Sequence, residues 1–126
     1  MSNPKVNRHV VGIGLVVLLL APAADAAQRF DLDLGDYAFE PAVVEVTAGE
    51  AVELALTNRD IFILHNLTLS AGGIDLDVDV PPGDTVTVSF TPARAGRYVF
   101  YCDKKLLFFK SHRERGMEGE LIVKAR

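Results

Sequence analysis

From Phe30 onward, apolar and polar residues alternate in short runs. Phe30, Leu32 and Leu34 are interleaved with Asp31 and Asp33, and Val43-Val44-Glu45-Val46 leads into the turn signal Ala48-Gly49-Glu50. Val52, Leu54 and Leu56 alternate until Thr57-Asn58-Arg59-Asp60, and Leu67 and Leu69 follow His65 before the break at Ala71-Gly72-Gly73. Ile74, Leu76, Val78 and Val80 alternate with Asp75, Asp77 and Asp79, and Pro81-Pro82-Gly83-Asp84 stops that run. Segments 85–90, 97–101 and 120–124 complete the set. Side chains of a strand point to opposite faces in turn, so a period of two means one buried and one wet face. Short strands separated by regular turn signals predict a small antiparallel sandwich or barrel. The aspartate row 75, 77, 79 is then the solvent side of one strand. Only residues 104–115 depart from this reading, as a short helix or an ordered loop. No internal repeat or interdomain linker interrupts the pattern.

The first 26 residues follow a different logic. Lys5 and Arg8 precede an apolar run from Val10 to Leu20, and Ala21-Pro22-Ala23-Ala24-Asp25-Ala26 ends in an Ala-x-Ala pattern. A basic start, a short apolar stretch and a small-residue exit are the parts of a secretory signal peptide. The run is shorter than the roughly 20 apolar residues needed to span a bilayer. The expectation is a signal peptide over 1–26 and one domain over 27–126, with no stable membrane insertion after cleavage. Removing Lys5, Arg8 and Asp25 leaves 11 basic and 16 acidic residues, net −5. An acidic domain whose cations are confined to one short loop argues against nucleic-acid binding.

Cys102 is the only cysteine, so no disulfide can form within the chain. A lone thiol in an oxidising compartment calls for burial or ligation, and small exported domains often depend on a disulfide or a metal. After processing the chain keeps two histidines, one cysteine and one methionine: His65, Cys102, His112 and Met117. Taken singly, each has an ordinary role as a strand-end histidine, a small buried hydrophobe, a solvated loop histidine and core filling. Their order and placement together favour a shared site. Cys102 ends a strand, His112 and Met117 lie in the connection to the next, and His65 sits beside a strand far upstream. One remote ligand and three from a single connection make a site at one end of a sandwich. Two imidazoles and a thiolate with a weak axial thioether are the blue-copper donor set.

The chain resembles the cupredoxins, the group of plastocyanins, azurins and their bacterial relatives. Phe39-Glu40-Pro41, with Val46-Thr47-Ala48-Gly49-Glu50, is similar to the family's opening strands and turn. His65-Asn66 resembles the first ligand and the asparagine that follows it, and 95–102 the strand leading to the cysteine ligand. His112 with Gly116-Met117-Glu118-Gly119 resembles the terminal ligand segment and last strand. The resemblance implies an all-β Greek-key β-sandwich holding one copper ion that cycles between Cu(I) and Cu(II). It implies Cys102 as thiolate, His65 and His112 as neutral imidazoles, Met117 as the long axial ligand and Asn66 as a tie between the ligand loops. The implied role is a periplasmic, monomeric electron carrier rather than an enzyme.

One departure stands out. Nine residues, 103–111, separate Cys102 from His112, more than is usual in the family. Residues 103–115 contain Lys104, Lys105, Lys110, Arg113 and Arg115 against Asp103 and Glu114, a net +3. With Leu106-Leu107-Phe108-Phe109 at its centre, the segment reads either as a basic rim around an apolar patch or as core. The first reading predicts a redox partner protein with an acidic docking surface. Two other tasks fit the same resemblance. One is assisting iron oxidation in bacterial ferrous-iron uptake, with Asp103, Glu114 or Glu118 helping to bind iron. The other is periplasmic copper storage or delivery.

Overall fold

The computed structural model describes residue 2, residues 11–20 and residues 26–126. Of the expected signal peptide, the basic start and most of the small-residue exit lie outside the described residues; 11–20 carry no regular secondary structure. Among the described residues, no helix is long and apolar enough to cross a membrane.

Nine strands build the domain: β1 Gln28–Gly35, β2 Ala38–Glu40, β3 Val43–Thr47, β4 Val52–Asn58, β5 His65–Ala71, β6 Ile74–Val80, β7 Thr85–Phe90, β8 Gly96–Tyr101 and β9 Glu118–Lys124. They form two sheets, ordered β2-β1-β4-β7 and β3-β9-β8-β5-β6. The alternation read from the sequence sets which faces meet. Leu32 and Leu34 of β1, Leu54 and Leu56 of β4, Leu67 and Leu69 of β5, and Leu121 and Val123 of β9 are buried between the sheets. The aromatic rings of Phe39 and Phe100 meet edge to face in this core, 5.0 Å between centroids.

The expected sandwich is present, but it is not wholly antiparallel. β1 pairs with β4, and β3 with β9, in parallel register. Leaving the β1/β2 hairpin, the chain crosses to the second sheet for β3 and returns for β4, so β4 re-enters beside β1 in the same direction. Such crossovers leave no trace in a residue pattern. β2 is also too short to show any alternation.

Two local features hold the ends of β8. The Tyr98 hydroxyl donates to the carbonyls of Arg94 (3.0 Å) and Ala95 (3.3 Å), clamping the entry to the strand. At the other end Phe100 lies opposite Gly119. A Cβ at Gly119 would run into the Phe100 ring and the Ala42 carbonyl, so only glycine lets the ring pass. β5 starts where β8 ends, and β9 starts beside that point. His65, Cys102 and Met117 therefore converge at one end of the sandwich.

Candidate metal centre

His65 opens β5, Cys102 follows β8 directly, and Met117 immediately precedes β9. His112 comes just before a single 3-10 turn, Arg113–Arg115, the only helical element in residues 104–115. All four are buried: His65, Cys102 and Met117 expose 0% and His112 8%. His65 Nδ1 is 3.1 Å from His112 Nδ1, Cys102 Sγ is 3.4 Å from His112 Nδ1, and Sγ is 3.9 Å from His65 Nδ1. Among the described residues, these three form the cluster of metal-type donors within 4.8 Å of one another. Metal–nitrogen and metal–sulfur bonds of about 2.0 and 2.3 Å give trigonal edges of about 3.5 to 3.8 Å. The three observed edges bracket that range. The donor set therefore fits a single soft-to-borderline metal ion among buried side chains.

Backbone bonds lock the ligand segments together. The Cys102 amide donates to the Met117 carbonyl (3.1 Å) and the Met117 amide to the His112 carbonyl (3.0 Å). Asn66 ties the upstream ligand to the downstream loop. Its amide donates to Cys102 Sγ (3.4 Å), its Nδ2 to Asp103 Oδ1 (2.8 Å), and its Oδ1 accepts the Asp103 amide (3.0 Å).

Two residues of the aspartate row take part as well, which the sequence pattern did not indicate. Asp77 accepts from Asn66 Nδ2 (3.0 Å), and Asp79 pairs with Lys104 (2.9 Å) at the root of the ligand loop. All three aspartates of the row are exposed, as the alternation predicts; the pattern does not show which exposed carboxylates also reach a neighbouring loop.

The long gap does not displace His112. Its amide donates to the Lys104 carbonyl at 2.8 Å, so residues 105–111 leave and rejoin the chain at one point. Within that lobe a turn is closed by Phe109 N–H to Leu106 O, 2.9 Å. The four apolar residues of the lobe point outward, with Phe108 at 99% exposure and the others at 60–71%. Ile61 (75%) and Phe62 (87%), from the loop before β5, are also exposed apolar residues. A recess of about 360 Å³, lined in part by Tyr37, Phe62, Leu64, Lys105 and Leu106, reaches His112. Of the five cations expected as a rim, Lys104 pairs with Asp79 and Arg113 with Glu118. Arg115 lies over the Tyr37 ring at 4.9 Å, and that ring meets His112 edge-on at 5.1 Å. Among the described residues, Lys105 and Lys110 make no ion pair.

Electrostatics suits the ligand role. Burial pushes the Cys102 thiol above its ordinary value, against the Asn66 amide, which favours the thiolate. A metal ion must therefore displace the thiol proton on binding. Burial likewise holds His112 below its ordinary value, and His65 and Arg115 add to the effect. Its ring is thus kept neutral, with a lone pair available.

The family described as cupredoxin-like domain matches residues 9–123. Chloroplastic plastocyanin of Tetradesmus obliquus is 29% identical over 126 residues, covering 91% of this chain and 79% of that protein. Auracyanin A, a blue copper protein from the green thermophilic photosynthetic bacterium Chloroflexus aurantiacus, shares the fold with a TM-score of 0.63. It is 21% identical over 79% of this chain and 100% of its own. Dithionite-reduced auracyanin from the photosynthetic bacterium Roseiflexus castenholzii gives a TM-score of 0.65 at 18% identity, covering 79% of this chain and 99% of that one.

Proposed function

Because the chain belongs to the cupredoxin family, we propose that it carries single electrons on one copper ion held by His65 Nδ1, Cys102 Sγ and His112 Nδ1. Met117 supplies the axial thioether. The observation that carries this reading is the buried triangle of two imidazole nitrogens and one sulfur, with edges of 3.1 to 3.9 Å. Copper bound there supplies a one-electron couple between Cu(I) and Cu(II). The chain's own residues do the rest. Cys102 and the two histidines present donors already in place, and Asn66 and the backbone bonds keep the ligand segments from moving apart. Their burial keeps water away from the donors. His112, at the floor of the recess, is the ligand closest to solvent and the natural route for an electron in or out.

The exposed apolar lobe and its lysines serve docking. Lys105 and Lys110 draw in a redox partner with an acidic surface, and Leu106, Leu107, Phe108 and Phe109 make a short-lived apolar contact. Residues 1–26 direct the chain to the periplasm, where the domain over 27–126 works as a monomer. The iron-oxidation reading finds less support. Of its candidate carboxylates, Asp103 is bonded to Asn66, Glu114 to Ser111 and Glu118 to Arg113. Storage or delivery of copper predicts a bound ion without redox turnover.

Absorption spectroscopy after copper loading tests the reading. An intense thiolate-to-copper band that disappears in Cys102→Ser supports it. Copper bound with no such band, or held only as Cu(I), supports delivery, and oxygen uptake on adding Fe(II) supports iron oxidation. Met117→Leu is expected to keep copper and raise the reduction potential, whereas loss of copper would remove Met117 from the axial role.

A further inference from the structure

His65 has a carboxylate behind it. Its Nε2, on the far side of the ring from the donor triangle, lies 2.6 Å from Asp60 Oδ2. The Asp60 carboxylate also accepts the Asp36 amide at 3.4 Å, and its side chain is three-quarters buried. The loop that carries it is held by a buried asparagine. Asn58 Oδ1 accepts the Asp60 amide (2.9 Å), while Asn58 Nδ2 donates to Ile63 O (2.7 Å) and Val80 O (2.9 Å). Asp60 is therefore aimed at the His65 ring by a rigid turn.

A neutral imidazole carries one proton, and the nitrogen bonded to an acceptor keeps it. With a carboxylate at Nε2, the proton stays there and the Nδ1 lone pair faces Cys102 and His112. A carboxylate acceptor also pushes electron density into the ring and makes Nδ1 a stronger donor. Stronger donors favour the more highly charged ion. We propose that Asp60 is a positioning residue of the metal site: it locks His65 in the Nε2–H tautomer and biases the site toward Cu(II), lowering the reduction potential. The tautomer half of this inference holds for the metal-free protein, and the potential half rests on the copper reading.

The two halves have separate tests. In metal-free, ¹⁵N-labelled protein, long-range ¹H–¹⁵N correlation of the histidine rings should show His65 as Nε2–H in the wild type and in Asp60→Asn, whose side-chain oxygen can still accept. Asp60→Ala should give mixed tautomers with the circular-dichroism spectrum retained. In copper-loaded protein, Asp60→Asn should shift the balance between Cu(II) and Cu(I) affinity by about 10- to 100-fold toward Cu(I). For a one-electron couple that is a rise of about 60 to 120 mV. A wild-type His65 protonated at Nδ1, or an Asp60→Asn potential equal to wild type, overturns the proposal. Failure of the wild type to bind copper overturns the proposed function and the potential half with it, and the ring correlations decide the tautomer half independently.

Discussion

Excising the lobe between Cys102 and His112 probes the division of labour most directly. The Lys104 carbonyl accepts the His112 amide at 2.8 Å, so the lobe is closed at its root. Replacing residues 105–110 by one glycine leaves Lys104-Gly-Ser111-His112, a four-residue turn that can keep this bond as its i to i+3 closure. Ser111 is retained because its Oγ accepts the Glu114 amide (3.1 Å) and its carbonyl the Arg115 amide (3.2 Å), which hold the 3-10 turn. The segment between Lys104 and His112 shortens from seven residues to two. Its closure entropy falls by about 1.1 kcal/mol. In a domain of this size that is a rise in melting temperature of about 4 to 8 °C. The copper spectrum should be unchanged, because no lobe side chain is a donor and the backbone bond that places His112 is kept. Loss of Lys105 and Lys110 should slow electron exchange with an acidic partner at low ionic strength and have little effect at high salt. Thermal melts of metal-free protein, the absorption spectrum and stopped-flow rates at two salt concentrations make the assay. A lower melting temperature, or a lost thiolate-to-copper band, would show that the lobe holds His112 in place and would refute the reasoning.

Other substitutions and pH bear on the same architecture. Gly119→Ala forces the Phe100 ring out of its place against β9 and should destabilise the domain by about 1 to 3 kcal/mol, read by chemical denaturation; an unchanged midpoint would contradict the close packing. Asn66→Ala removes the ties to Asp77 and Asp103 and leaves the Asp103 amide without its acceptor, at a cost of about 2 to 4 kcal/mol, and should broaden the copper spectrum as the ligand segments loosen. In the metal-free protein, burial holds the His112 pKa below its ordinary 6.5, so its contribution to stability is complete above that pH and is lost as pH falls through the folded value. Burial raises the Cys102 thiol above its ordinary 9.0, so its contribution is complete below that pH and is lost as pH rises through the folded value. Melting temperature against pH should therefore show a plateau between these limits, and a curve that climbs on leaving it at either side would contradict the burial of the two groups.

The alternation of apolar residues was enough to read the all-β sandwich and nearly every strand, because a strand half-buried in a sandwich needs a period of two and little else does. The donor cluster of His65, Cys102 and His112 was legible for a chemical reason. Once residues 1–26 are set aside, the chain keeps so few imidazole and sulfur groups that their types and order name a site. What the sequence left open concerns proximity between segments far apart in the chain. The parallel pairing of β1 with β4 and of β3 with β9 depends on where the chain crosses between sheets, and no residue pattern records a crossing. The solvent face read for Asp75, Asp77 and Asp79 is exposed as expected, but the bonds of Asp77 to Asn66 and of Asp79 to Lys104 were not legible. Asp60 gave no signal at all: its position behind His65 follows from the Asn58 turn and the five-residue step back into β5. The gap between Cys102 and His112 was plain in the sequence, but its harmlessness to the donor triangle was not. A single backbone bond from His112 to Lys104 makes the insertion an outward lobe, and only a folded chain can show that its two ends meet.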